Sequence, residues 1–90
     1  MFVAKELDPR SKAIAEQLRA EIAGSPYKKI APFARALDAR IPTDPTTFFN
    51  RVSGKSPIPM EVLFPALDLL GIEFNVFVSD AMKRLSRQKD

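Results

Sequence analysis

Ninety residues with 46% hydrophobic content make one small domain with enough apolar side chains for a compact core. The absence of cysteine and histidine excludes disulfides, thiolate chemistry, the usual metal sites and the commonest general base. Net charge is only +3, which excludes neither an acidic nor a neutral partner until its placement along the chain is known.

The first ten residues are open between a short strand and an apolar arm at Phe2-Val3, and Asp8-Pro9 reads as a helix start or a turn. The first clear helix runs from about Pro9 or Ser11 to Ala23. Ile14, Leu18 and Ile22 recur every four residues, Lys12, Glu16, Arg19 and Glu21 are expected to face water, and Gly24-Ser25-Pro26 ends it. A second helix starts near Lys29 or Ile30 and ends near Ala39, because Ile30, Phe33, Ala34, Leu37 and then Ile41 follow the spacing of a half-buried helix. Pro32 is tolerable there only in the first turn. Ala34 is small enough for a close helix crossing.

The third helix is marked at both ends. Asp44 can accept from the free N–H groups of the first turn, Pro45 suits the first helical position, and Gly54 suits the residue after the last turn. A helix this short is not stable alone, so Phe48 and Val52 must anchor it on a core. Turning about 100° per residue then sends Thr46, Thr47, Asn50 and Ser53 outward, with Phe49 and Arg51 on the flanks. Asn can bond bidentately to adenine, Arg to guanine or a phosphate, and a Thr methyl can touch a thymine methyl. An ordinary solvated helix face is the competing reading of the same residues. Phe49 could meet a thymine methyl, but partial core packing fits its flank position better.

A fourth helix begins at Pro59. Met60, Leu63, Ala66, Leu67 and Leu70 form its expected inner stripe, Gly71 caps it, and Pro65 should kink it or delay its start. In the tail, Ile72, Phe74, Val76 and Val78 alternate like a strand, whereas Phe74, Phe77, Val78, Ala81 and Leu85 fit a helix over about 73–86, which the Ala81-Met82-Lys83-Arg84-Leu85 end favours. Residues 87–90 are expected to fray.

The charge is unevenly placed. Residues 1–24 are balanced and residues 58–90 carry one excess acid, while residues 25–57 hold Lys28, Lys29, Arg35, Arg40, Arg51 and Lys55 against Asp38 and Asp44. A local basic footprint around the third helix suits a polyanionic partner.

The order Phe33-Ala34-Arg35-Ala36-Leu37, a turn, Thr46-Thr47-Phe48, Gly54-Lys55, then Leu67-Asp68-Leu69-Leu70-Gly71-Ile72 resembles the lambda-repressor-like family of phage repressors, Cro proteins and XRE regulators. The resemblance covers roughly residues 12–80. It implies an all-α, compact four-to-five-helix domain over 1–90 with a helix–turn–helix at about 29–54. It also implies sequence-specific binding of double-stranded DNA by a cytoplasmic transcriptional regulator, with the third helix in the major groove. Thr46, Thr47, Asn50 and Arg51 would then contact bases. Lys28, Lys29, Lys55 and Ser56 would contact phosphates, and Tyr27 would either add its hydroxyl to them or pack over the turn between the first two helices. A homodimer is expected through Phe74, Phe77, Val78, Ala81 and Leu85, aided by the Phe2-Val3 arm. Two departures stand out. The turn through Arg40-Ile41-Pro42-Thr43-Asp44-Pro45 is longer than usual, and the Ser-Gln opening of the second helix is absent, leaving Lys28, Lys29 and the first N–H groups there to hold a phosphate.

The carboxylates are scattered and none forms a pair with a nearby nucleophile or Gly-rich loop, and Ser53-Gly54-Lys55-Ser56 lacks the first glycine and the strand of a phosphate-binding loop. An enzyme, a cofactor and a metal are therefore not expected. No apolar run approaches the roughly 20 residues of a membrane span, and Met1-Phe2-Val3-Ala4-Lys5-Glu6 is charged too early for a signal peptide. The rival reading is an antitoxin or adaptor module that uses the same fold to dock a protein such as a toxin, through exposed apolar surface.

Overall fold

Residues 8–88 are described by a computed structural model, in which five helices follow in order: α1 (Pro9–Ala23), α2 (Ile30–Asp38), α3 (Pro45–Val52), α4 (Met60–Leu70) and α5 (Phe74–Gln88). The Phe2-Val3 arm and the last two residues lie outside the described range. No strand occurs among the described residues, so the domain is all-α and the alternating pattern of the tail resolves to helix through Gln88.

Local chemistry sets the helix ends. Asp8 caps α1 by accepting from the Arg10 backbone N–H at 2.8 Å, with Pro9 as the first helical residue. The Arg10 guanidinium bonds both Asp8 oxygens, and these hydrogen bonds hold the exposed carboxyl down at about 2. Pro32 is the third residue of α2, where its missing N–H is one of those without an intrahelical partner. Asp44 caps α3 as expected, accepting from the Thr47 N–H at 2.9 Å and from its hydroxyl at 3.2 Å. Gly54, at φ +88°, closes α3: its N–H bonds Arg51 O and the Lys55 N–H bonds Asn50 O, the paired bonds of a Schellman end. Gly71, at φ +70°, ends α4 in the same way. Pro65 does not delay α4, which starts at Met60 and runs through it.

One core joins all five helices. Leu18 and Ile22 of α1 meet Phe33, Ala34 and Leu37 of α2, Phe48 and Val52 of α3, Val62, Leu63, Ala66 and Leu67 of α4, and Phe77 of α5. The Phe33 ring lies 5.8 Å from Phe48 and takes Tyr27 edge-on at 5.2 Å, so aromatic packing ties α2 to α3. α1 packs along α5 and also touches α2 and α3. No single helix among the described residues is long and apolar enough to cross a membrane.

Several expectations need correction. Met60 is exposed and Val62 takes its place inside, because the buried set Val62, Leu63, Ala66 and Leu67 centres about 90° around the helix from Met60. Glu16 and Glu21 are half-buried rather than water-facing. Phe77 and Ala81 are both 0% exposed within the single chain, so neither can meet a second copy; they close the core against α1. Of the expected interface, Phe74 is exposed, and Val78 and Leu85 are half-buried.

Candidate nucleic-acid interface

The turn from α2 to α3 is pinned despite its length. Arg40 and Ile41 both donate their N–H to Leu37 O, at 2.9 and 3.0 Å. Thr43 is buried, and its N–H donates to Asp38 Oδ1 at 3.0 Å while its hydroxyl donates to Ile41 O at 3.2 Å. With Phe33 against Phe48, these bonds tie α2, the turn and α3 together.

Phe48 and Val52 anchor α3 at 0% exposure, as their spacing requires. The rest of the helix is not arranged symmetrically about them. Thr46, Thr47 and Phe49 are exposed, while Asn50 and Arg51 are half-buried. Arg51 turns toward an open depression of about 360 Å³ that it shares with Ile41, Pro42, Pro59, Glu61 and Val62. Asn50 makes no side-chain hydrogen bond among the described residues, so its carboxamide is uncommitted. The Thr47 hydroxyl is engaged by Asp44, which leaves its methyl and a lone pair to offer. Phe49, 54% exposed and without a ring partner among the described residues, does not pack into the core as its flank position had indicated.

The expected phosphate ligands divide in the same way. Lys28, Lys29 and Lys55 are exposed, Ser56 is half-buried, and Tyr27 is half-buried with its ring on Phe33 and its hydroxyl unbonded among the described residues. Lys28 occupies φ +68°, a backbone region costly for a residue with a Cβ, and the Lys29 N–H reaches back to Tyr27 O at 2.7 Å. This tight turn sets both lysines at the entrance to α2. The N-cap Lys29 supplies no side-chain bond to the first N–H groups of α2. Among the described residues the one ion pair is Arg10 with Asp8; Lys28, Lys29, Arg35, Arg40, Arg51 and Lys55 have none. Among the described residues no carboxylate lies within ion-pair distance of these six cations.

Two further cations border α3. Lys12 and Arg19 of α1 line an open depression of about 310 Å³ with Ala15, Glu16, Ser53 and Gly54. Sequence reasoning passed over them as solvated, although Lys12, Glu16 and Arg19 share the i, i+4, i+7 spacing of one helix face. That face abuts the end of α3, which no local pattern announces.

No family model, curated protein or solved structure matches this chain.

Proposed function

We propose that the chain is a sequence-specific double-stranded-DNA-binding protein of the phage-repressor or XRE type, with α3 in the major groove. One observation carries the reading. α3 is a short, capped helix fixed by Phe48 and Val52, and Thr46, Thr47 and Phe49 are accessible on it. Lys12 and Arg19 border its C-terminal end at Ser53 and Gly54, and Arg51 and Lys55 lie on and just past its last turn, none of the four cations in an ion pair among the described residues. An α-helix fits the major groove, where short polar and apolar side chains reach base edges and cations hold the backbone. Lys28, Lys29, Lys55, Ser56 and the Tyr27 hydroxyl take phosphates; Thr46, Thr47, Asn50 and Arg51 take base edges.

One domain of this size reads few base pairs, and a two-fold dimer on half-sites one helical turn apart supplies the rest. With Phe77 and Ala81 in the core, the proposed homodimer uses the edge of the same α5 face, through exposed Phe74 and half-buried Val78 and Leu85.

Selection of bound duplexes from random DNA tests the reading. A recurring motif whose affinity falls linearly in log–log with salt is expected, since each neutralised phosphate releases counterions. Failure to enrich a motif, or a salt-independent affinity, refutes it.

A second reading has one observation in its favour. Phe64 and Phe74 are both exposed with ring centroids 5.2 Å apart, beside exposed Met60 one turn earlier in α4. Such an apolar corner suits an antitoxin or adaptor that docks a protein. Phe64→Glu distinguishes the two: it spares binding to a selected duplex if DNA recognition lies on α3.

A further inference from the structure

We infer that Phe49 is a specificity-determining residue of the proposed DNA interface, reading the 5-methyl group of a thymine in the major groove. The inference rests on the DNA-binding reading and deepens it.

Phe48 and Val52 define the inward direction of α3, and a turn of 100° per residue sets Phe49 and Arg51 about 80° to either side of it. By angle the two flanks are equivalent. By burial they are not. Arg51 is half-buried beside Ile41, Pro42, Pro59 and Val62, whereas Phe49 has 54% of its surface exposed and no ring to stack on among the described residues. The accessible sector of α3 therefore reaches Phe49 on one side and stops at Thr47 on the other, short of Arg51.

Chemistry narrows what Phe49 can read. A phenyl ring has no hydrogen bond to give a base edge, so it discriminates by apolar contact alone. In the major groove one base, thymine, presents a methyl group. The surroundings of Phe49 also favour a small apolar target. Its accessible neighbours along α3 are Pro45, Thr46 and Thr47, with Asn50 and Ser53 half-buried, so apart from the small proline ring one turn earlier it is the single apolar group of a polar stripe. Protein docking calls for a contiguous apolar patch, which the corner at Phe64 and Phe74 offers and α3 does not.

The test uses the full chain and a duplex selected from random DNA, with each thymine replaced in turn by uracil, which deletes the methyl and nothing else. Affinities are read by fluorescence anisotropy for the wild type and for Phe49→Ala, with thermal melts confirming that the variant folds. Burial of one methyl is worth roughly a fourfold change in affinity. The wild type is expected to lose about that factor at one thymine per half-site, and Phe49→Ala is expected to bind the thymine and uracil duplexes alike. Equal sensitivity to uracil in Phe49→Ala, or no sensitive thymine in the wild type, overturns the assignment while leaving DNA binding intact. Failure of the wild type to enrich any duplex overturns both.

Discussion

The Arg84 Nε–H donates to the side-chain oxygen of Gln17 at 2.5 Å, joining the last helix to the first across 67 positions. Gln17 is buried, and its amide nitrogen donates in turn to Glu21 Oε2 at 2.8 Å. Removing the guanidinium leaves a buried acceptor without its donor. Arg84→Ala is expected to lower stability by about 1–3 kcal/mol, seen as an earlier urea midpoint at an unchanged m-value.

Phe77 and Phe74 stand three residues apart on α5 but in opposite environments. Phe77→Ala opens a cavity between α1 and α5, and a loss of about 3–5 kcal/mol is expected. Phe74→Glu should leave the fold intact. Under the proposed assembly it yields a folded monomer by light scattering with weaker operator binding; a folded dimer would move the interface elsewhere.

At Lys28 stability and binding should separate. An L residue at φ +68° bears about 1–2 kcal/mol of backbone strain, while glycine adds about 0.5–1 kcal/mol of unfolded-state entropy. Lys28→Gly is expected to raise the melting temperature slightly and to weaken DNA binding on every sequence. A fall in both would show that the Lys28 side chain itself supports the fold.

Base and phosphate contacts should respond differently to substitution. Lys29→Ala and Lys55→Ala are expected to weaken all duplexes alike and to reduce the salt slope by about one each. Thr46→Ala and Asn50→Ala are expected to cost about 1–3 kcal/mol of discrimination at one position each. An unaltered selected motif in Asn50→Ala would mean that its half-buried carboxamide stays short of the bases.

The Asp8 carboxyl titrates at about 2 against an ordinary 3.8, because Arg10 hydrogen-bonds its charged form. A depressed value adds stability that is complete above the unfolded value and is lost as pH falls through the folded one. The melting-temperature difference between wild type and Asp8→Ala should therefore hold steady down to about pH 4 and shrink as pH approaches about 2. The pair is fully exposed, so the difference should be small.

What could be read from the chain was what neighbours in sequence decide. Asp44, Pro45 and Gly54 set the ends of α3, and Gly71 that of α4, through bonds spanning a few residues. Phe48 and Val52 were equally plain, since a lone short helix must bury something. The misreadings share another cause. The apolar stripe of α5 shows that a face is covered but not by what; only its packing on α1 places Phe77 and Ala81 within one chain. Two anchors fix the axis of α3 and leave its flanks equivalent, so the exposure of Phe49 and the shelter of Arg51 depend on Ile41, Pro42 and Pro59, set by tertiary packing. Nothing local marks Gln17 as buried, because its partner Arg84 is distant in the chain.

Gly54 and Gly71 carry a different kind of restriction. A Cβ added at either would meet no atom within 4 Å, yet both residues sit at positive φ. Room is plentiful there, and what limits substitution is handedness. An L-alanine at either turn would be strained in open solvent, touching nothing, while its mirror image would sit there at ease. The two helices that flank the α3–α4 connection thus end on a stereochemical rule and not on a steric one, and a D-residue introduced by chemical synthesis would satisfy it.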